Sequence, residues 1–111
     1  MAAIEVTDAS IQIIINSNAV VVVDIWADWC APCKAAKPHF EATAERYPAV
    51  FATALVDVCE ETAMSLGVRT VPTLAIYRDG QLVATRSGAF GSEQLVEFLT
   101  EHEVHPASQD K

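Results

Sequence analysis

The sequence predicts an α/β fold: a mixed central β-sheet of about five strands, flanked by about four helices. Three observations carry this. Ala19 to Trp26 is a β-branched run whose one charged residue is Asp24, the pattern of a strand buried on both faces. Strand-like and helix-like stretches alternate from Ile4 to Leu66, and a β-α-β-α-β order requires parallel strands joined by crossovers. Thr73 to Tyr77, Asp79-Gly80 and Leu82 to Arg86 then read as a hairpin, which adds antiparallel strands.

Taken in order, Ile4 to Val6 is a short edge strand. Thr7, Asp8 and Ser10 offer N-caps for a helix running to about Ile15. Asn16-Ser17-Asn18 breaks it before the buried run. Cys30 to about Tyr47 reads as a helix that Pro38 kinks and Pro48 ends. Val50 to Val58 is a second central strand, and Glu60 to Leu66 a short helix closed by Gly67. After the hairpin, Ser92-Glu93-Gln94 begins a last helix with Leu95, Val96, Phe98 and Leu99 apolar. From about His102 the chain turns polar, and residues 102–111 read as a flexible tail. No repeat or linker interrupts the chain, so residues 1–111 read as a single domain.

A chain of this size buries roughly two-thirds of its unfolded surface, enough for one core without a disulfide framework. Hydrophobic residues make up 51 %, too many for a disordered protein. The formal charge of −8 and the absence of a basic stripe argue against nucleic acid and anionic membrane surfaces. The longest apolar stretch, Ile11 to Trp26, is interrupted by Gln12, Asn16, Asn18 and Asp24 and is no membrane span. Met1-Ala2-Ala3-Ile4-Glu5 lacks the features of a secretory leader. A reducing, cytoplasmic setting is expected, with a mature organellar form left open.

The chemistry concentrates in Trp26-Ala27-Asp28-Trp29-Cys30-Ala31-Pro32-Cys33-Lys34. The Cys-X-X-Cys spacing lets one thiol attack a disulfide and the other resolve the product. The alternatives are half of a zinc site or two reduced core cysteines. A structural zinc site wants more ligands, yet no second such pair exists, and His39, His102 and His105 are poorly placed. A metal site is therefore not expected. Cys30 falls at a helix N-terminus, where free N–H groups stabilise a thiolate, and Cys33 one turn inside. Pro32 suits the first helical turn, which needs no N–H. Asp24, in an apolar strand, should have a raised pKa, because burial disfavours its charge. Cys59 reads as a small buried residue whose neighbours Glu60 and Glu61 disfavour a thiolate. An oxidative dimer through Cys59 stays open. No Gly-rich dinucleotide or flavin motif is present, so no bound cofactor is expected.

With Val23-Asp24-Ile25-Trp26-Ala27-Asp28-Trp29-Cys30-Ala31-Pro32-Cys33-Lys34, then Pro38, Asp57, Val71-Pro72-Thr73, Asp79-Gly80 and Ser87-Gly88-Ala89, the chain resembles the thioredoxin family from about Ile4 to Leu99. Lys37-Pro38-His39-Phe40 and Cys59 look more like eukaryotic cytosolic members than bacterial ones. Two positions depart from the family pattern. Ala31 stands where glycine is usual, and Thr53 where bacterial members place a lysine facing the buried aspartate.

The resemblance implies a thioredoxin-like fold and a thiol–disulfide oxidoreductase that reduces protein disulfides through a Cys30–Cys33 dithiol/disulfide cycle. Disulfide oxidase or isomerase activity on the same scaffold, or a non-catalytic binding subunit, are the alternatives. The resemblance makes Cys30, Cys33 and Asp24 catalytic, with Asp24 relaying the Cys33 proton. Trp26 reads as a core aromatic and Trp29 as packing beside the cysteines near Asp57. The resemblance makes the Val71–Pro72 bond cis and builds a substrate groove from Trp29, Ala31, Pro32, Thr70, Val71, Pro72, Gly88 and Ala89. The implied partners are a flavin-dependent thioredoxin reductase and disulfide-containing clients of peroxiredoxin or reductase type, met by a monomer.

Overall fold

The computed structural model describes residues 3–107. Strand β2 (Val20–Trp26) lies at the centre of a five-stranded sheet. Strand β3 (Val50–Leu55) runs parallel to it on one side, and β1 (Ala3–Glu5) runs parallel to β3 at that edge. On the other side β4 (Thr73–Arg78) is antiparallel to β2, and β5 (Gln81–Ser87) is antiparallel to β4. The order is β1-β3-β2-β4-β5, the mixed sheet expected from the alternation and the hairpin. Asp79 and Gly80 both take positive φ in the hairpin turn, which favours Asp-Gly there.

The alternation of side chains along β2 divides the core into two layers. Val22 packs with Phe40, Phe51, Leu74, Leu95 and Leu99 beneath helices α2 (Ala31–Ala44) and α4 (Ser92–Glu101). Val21, Val23 and Ile25 pack with Ile11, Ile15, Ala52 and Cys59 beneath α1 (Asp8–Ser17) and α3 (Glu60–Ser65). The first layer is aromatic: Phe40 meets Phe51 at 5.1 Å and Phe90 at 6.5 Å between ring centroids.

Two elements end earlier than the sequence suggests. α2 stops at Ala44 rather than Tyr47. Arg46 and Tyr47 donate to Thr43 and Ala44, three residues back, which tightens the last turn before Pro48. β3 stops at Leu55 rather than Val58, because Val58 N–H turns back onto Leu55 O at 3.0 Å. Pro38 lies inside α2, and the helix continues on both sides of it.

The segment read as a tail is held well past His102. Val104 is buried in the aromatic layer, and its N–H donates to Leu99 O. The Arg78 guanidinium donates to the carbonyls of His102 and Glu103, and Ala107 N–H donates to Arg46 O. Of the expected tail, residues 108–111 lie outside the described residues.

α3 borrows its N-cap. Its own cap residue, Cys59, makes no side-chain cap bond. Asp8, at the start of α1, instead accepts from the N–H groups of Glu61 and Thr62 and from Thr62 Oγ1 at 2.6 Å. The bond from Thr62 Oγ1 is the main reason the Asp8 carboxyl sits below its ordinary pKa, aided by the two backbone bonds. A depressed acid contributes stability above the unfolded carboxylate pKa and loses it as pH falls through the folded value. Asp8→Asn should therefore lower the urea midpoint at neutral pH, with the difference shrinking in acid. Urea melts of both proteins across that range check this.

Candidate functional site

β2 ends at Trp26, and four residues later Cys30 is the N-cap of α2. The turn is closed by Cys30 N–H donating to Ala27 O and by Lys34 N–H donating to Cys30 O at 3.1 Å. Cys33 N–H donates to Cys30 Sγ at 3.2 Å, so a free helix-end donor points at that sulfur. Pro32 is the second helical residue, where its missing N–H leaves no helix bond unmade. Cys30 and Cys33 are joined as a disulfide, with their Cα atoms 5.3 Å apart. Cys30 is the more open of the two, 6 % exposed against 1 % for Cys33.

The facing wall comes from the loop before β4. The Val71–Pro72 bond is cis, and Val71 O lies 3.7 Å from Cys30 Sγ. A cleft of about 610 Å³ opens between these parts. Trp29, Cys30, Ala31, Pro32, Thr70 and Val71 line it, together with Val56, Ala63, Val68 and Arg69. Pro72, Gly88 and Ala89 fall outside the lining, which departs from the expected groove. Pro72 is buried, and Gly88 is tied to it by an N–H···O bond of 2.9 Å to Pro72 O.

The two tryptophans stand differently. Trp29 lines the cleft with Cys30 and is 72 % exposed. Trp26 is half-buried rather than core, because it closes the end of the layer and carries the Lys37 ammonium 4.1 Å from its ring centroid.

Asp24 is in register with Thr53 on β3 and Leu74 on β4. It shares the face of Val22, so it points to the α2 side of the sheet, where Cys33 and Lys37 are held. It is 1 % exposed, and its Oδ1 has no hydrogen-bond partner among the described residues. Burial pushes its pKa up to about 7, opposed by the positive charge of Lys37. Thr53 holds no charge there, so the cation that offsets Asp24 comes from α2 and not from β3. Lys37 is the residue the sequence reading missed, although its i,i+4 spacing from Cys33 places both on one helix face.

Cys59 is fully buried, and its thiol donates to Val6 O at 3.3 Å. Its pKa is raised, first by burial and then by Asp8; Glu60 and Glu61 are not the cause. Full burial disfavours the oxidative dimer left open above, because a sulfur with no exposed surface meets one on a second chain only if the fold opens. Reduced protein treated with a thiol reagent should label Cys30 first, with Cys59 unmodified until the protein unfolds. Mass spectrometry of timed aliquots checks this. His39, exposed on α2, pairs Nδ1 with Ser92 Oγ at 2.9 Å and links α2 to α4.

The thioredoxin family model matches residues 2–101. The chain belongs to the thioredoxin family. It is 41 % identical to the thioredoxin of Mycobacterium tuberculosis over 103 residues, covering 90 % of this chain and 89 % of that one. It is 37 % identical to the Pseudomonas aeruginosa thioredoxin over 99 residues, covering 86 % and 92 %. A mutant thioredoxin from Halobacterium salinarum superposes with a TM-score of 0.83 at 32 % identity, covering 94 % of each chain. The thioredoxin of Plasmodium falciparum gives 0.83 at 31 %, covering 90 % and 98 %.

With its Cys30–Cys33 pair, this family member is a thiol–disulfide oxidoreductase of the protein-disulfide reductase class. Proteins of this family work with a recharging reductase and with disulfide-bearing clients. No helix among the described residues is long and apolar enough to cross a membrane.

Proposed function

We propose that Cys30 is the attacking sulfur, Cys33 the resolving one and Asp24 the group that takes the Cys33 proton. In the dithiol form the Cys30 thiolate attacks one sulfur of a client disulfide. That bond breaks, a mixed disulfide forms, and the departing client sulfur takes up a proton. Cys33 passes its proton to the Asp24 carboxylate and attacks Cys30. The mixed disulfide breaks, and the second client sulfur leaves and is protonated. The client gains two electrons and two protons, and the Cys30–Cys33 disulfide is the oxidised product.

The observation that carries this assignment is the Cys33 N–H aimed at Cys30 Sγ at a helix N-terminus, which favours negative charge on that sulfur. An acid poised near 7 on the α2 side of the sheet suits a base that gains and loses a proton at neutral pH. Trp29, Ala31, Pro32, Thr70 and Val71 form the docking cleft, which Pro72, Gly88 and Ala89 support from outside. The chain acts as one domain and a monomer in the cytoplasm. A flavin-dependent thioredoxin reductase recharges it, and its clients are of peroxiredoxin or reductase type.

A redox titration in glutathione buffers tests the direction. A midpoint more negative than about −230 mV is expected and marks a reductase, whereas one near −180 to −120 mV marks an isomerase or oxidase.

A further inference from the structure

Every residue that lines the cleft beside Cys30 is apolar or uncharged, with one exception, Arg69. The whole chain carries −8, so the cleft presents a cation on an acidic protein. Asp28 and Asp57, next in sequence to the lining residues Trp29 and Val56, do not line it. Arg69 is exposed and forms no ion pair or hydrogen bond with any described residue. No described residue pairs with its charge.

Its position is informative. Arg69 lies two residues before Val71, whose carbonyl is 3.7 Å from Cys30 Sγ. Two residues of chain span at most about 7 Å. Arg69 and Cys30 thus line one cleft a few residues' reach apart, so side chains that flank a client cysteine at Cys30 come within range of Arg69. A free guanidinium presents a fork of donors that matches a carboxylate.

We propose that Arg69 makes the cleft select client segments that carry an acidic side chain within a few residues of the attacked cysteine. This rests on the reductase reading above, and Arg69 acts on docking alone. The two electrons and two protons still pass from Cys30 and Cys33 to the client disulfide. A charge at the rim of a cleft acts mainly on the association rate and is screened by salt.

Three synthetic disulfide peptides test this, identical except for Asp, Ser or Lys beside one cysteine. The second-order rate constant for reduction by the pre-reduced protein is measured at low and high salt. One attraction and one repulsion, each worth about threefold, give an Asp-to-Lys preference of about tenfold at low salt. The preference should fall toward one in Arg69→Gln, reverse in Arg69→Glu, and shrink in high salt for the wild type. An undiminished preference in Arg69→Gln, or none in the wild type, overturns the proposal. Failure of the wild type to reduce even the Ser peptide would overturn the reductase reading itself, and this inference with it.

Discussion

Cys33→Ser is expected to accumulate clients as mixed disulfides on Cys30, while Cys30→Ser accumulates none and loses turnover by about a thousandfold or more. The two sulfurs are equivalent in chemistry and differ in placement. Cys30 caps α2, accepts the Cys33 N–H and borders the cleft. Cys33 is one turn inside, buried, and outside the cleft lining. An incoming disulfide therefore meets Cys30 first. Without Cys33 the first displacement still occurs, but no second sulfur releases the client. Without Cys30 the remaining thiol has no route to the client and no helix-end donor to stabilise its thiolate. Non-reducing gels of both variants after exposure to an oxidised client give the measurement. Equal trapping by the two variants would remove the division of labour.

Much of this arrangement could be read from the residues, because it depends on local rules. An all-apolar run specifies a central strand, Asp-Gly specifies a hairpin turn, and a cysteine before a helical pattern specifies a cap. What escaped depends on contacts between distant segments. Asp8 looks like an ordinary first-turn acid of α1, yet it caps α3, and no local pattern encodes that bond. Val104 is one apolar residue in a polar stretch and carries no periodicity, yet it fills the end of the aromatic layer. Lys37 looks like a solvated helix residue, and only the packing of α2 on β2 brings its charge to bear on Asp24. Cys59 had the right burial but the wrong cause, because the acid that raises its pKa is Asp8, distant in sequence, and not its neighbours.

Asp24→Asn is expected to gain up to a few kcal/mol of stability on the wild-type disulfide form between pH 4 and pH 8, and to slow resolution of the mixed disulfide by about ten- to a hundredfold. The stability effect follows from linkage. Burial raises the folded pKa to about 7 from an ordinary value of 3.8. Between those values the folded protein holds a proton that the unfolded chain has released, so stability falls as pH rises through that window. The cost is absent below the unfolded pKa and complete above the folded one. A neutral amide never ionises, so Asp24→Asn escapes it, and the two stability curves should converge near pH 4 and diverge toward pH 8. The catalytic effect has the opposite sign, because an amide cannot accept the Cys33 proton. Lys37→Gln separates the two. It removes the cation that favours the Asp24 carboxylate, so the inflection in the rate of resolution should move to higher pH while the base remains. Urea melts across pH and single-turnover release of client from the mixed disulfide supply the measurements. Lower stability with unchanged release in Asp24→Asn would make Asp24 a packing residue and leave Cys33 without a base.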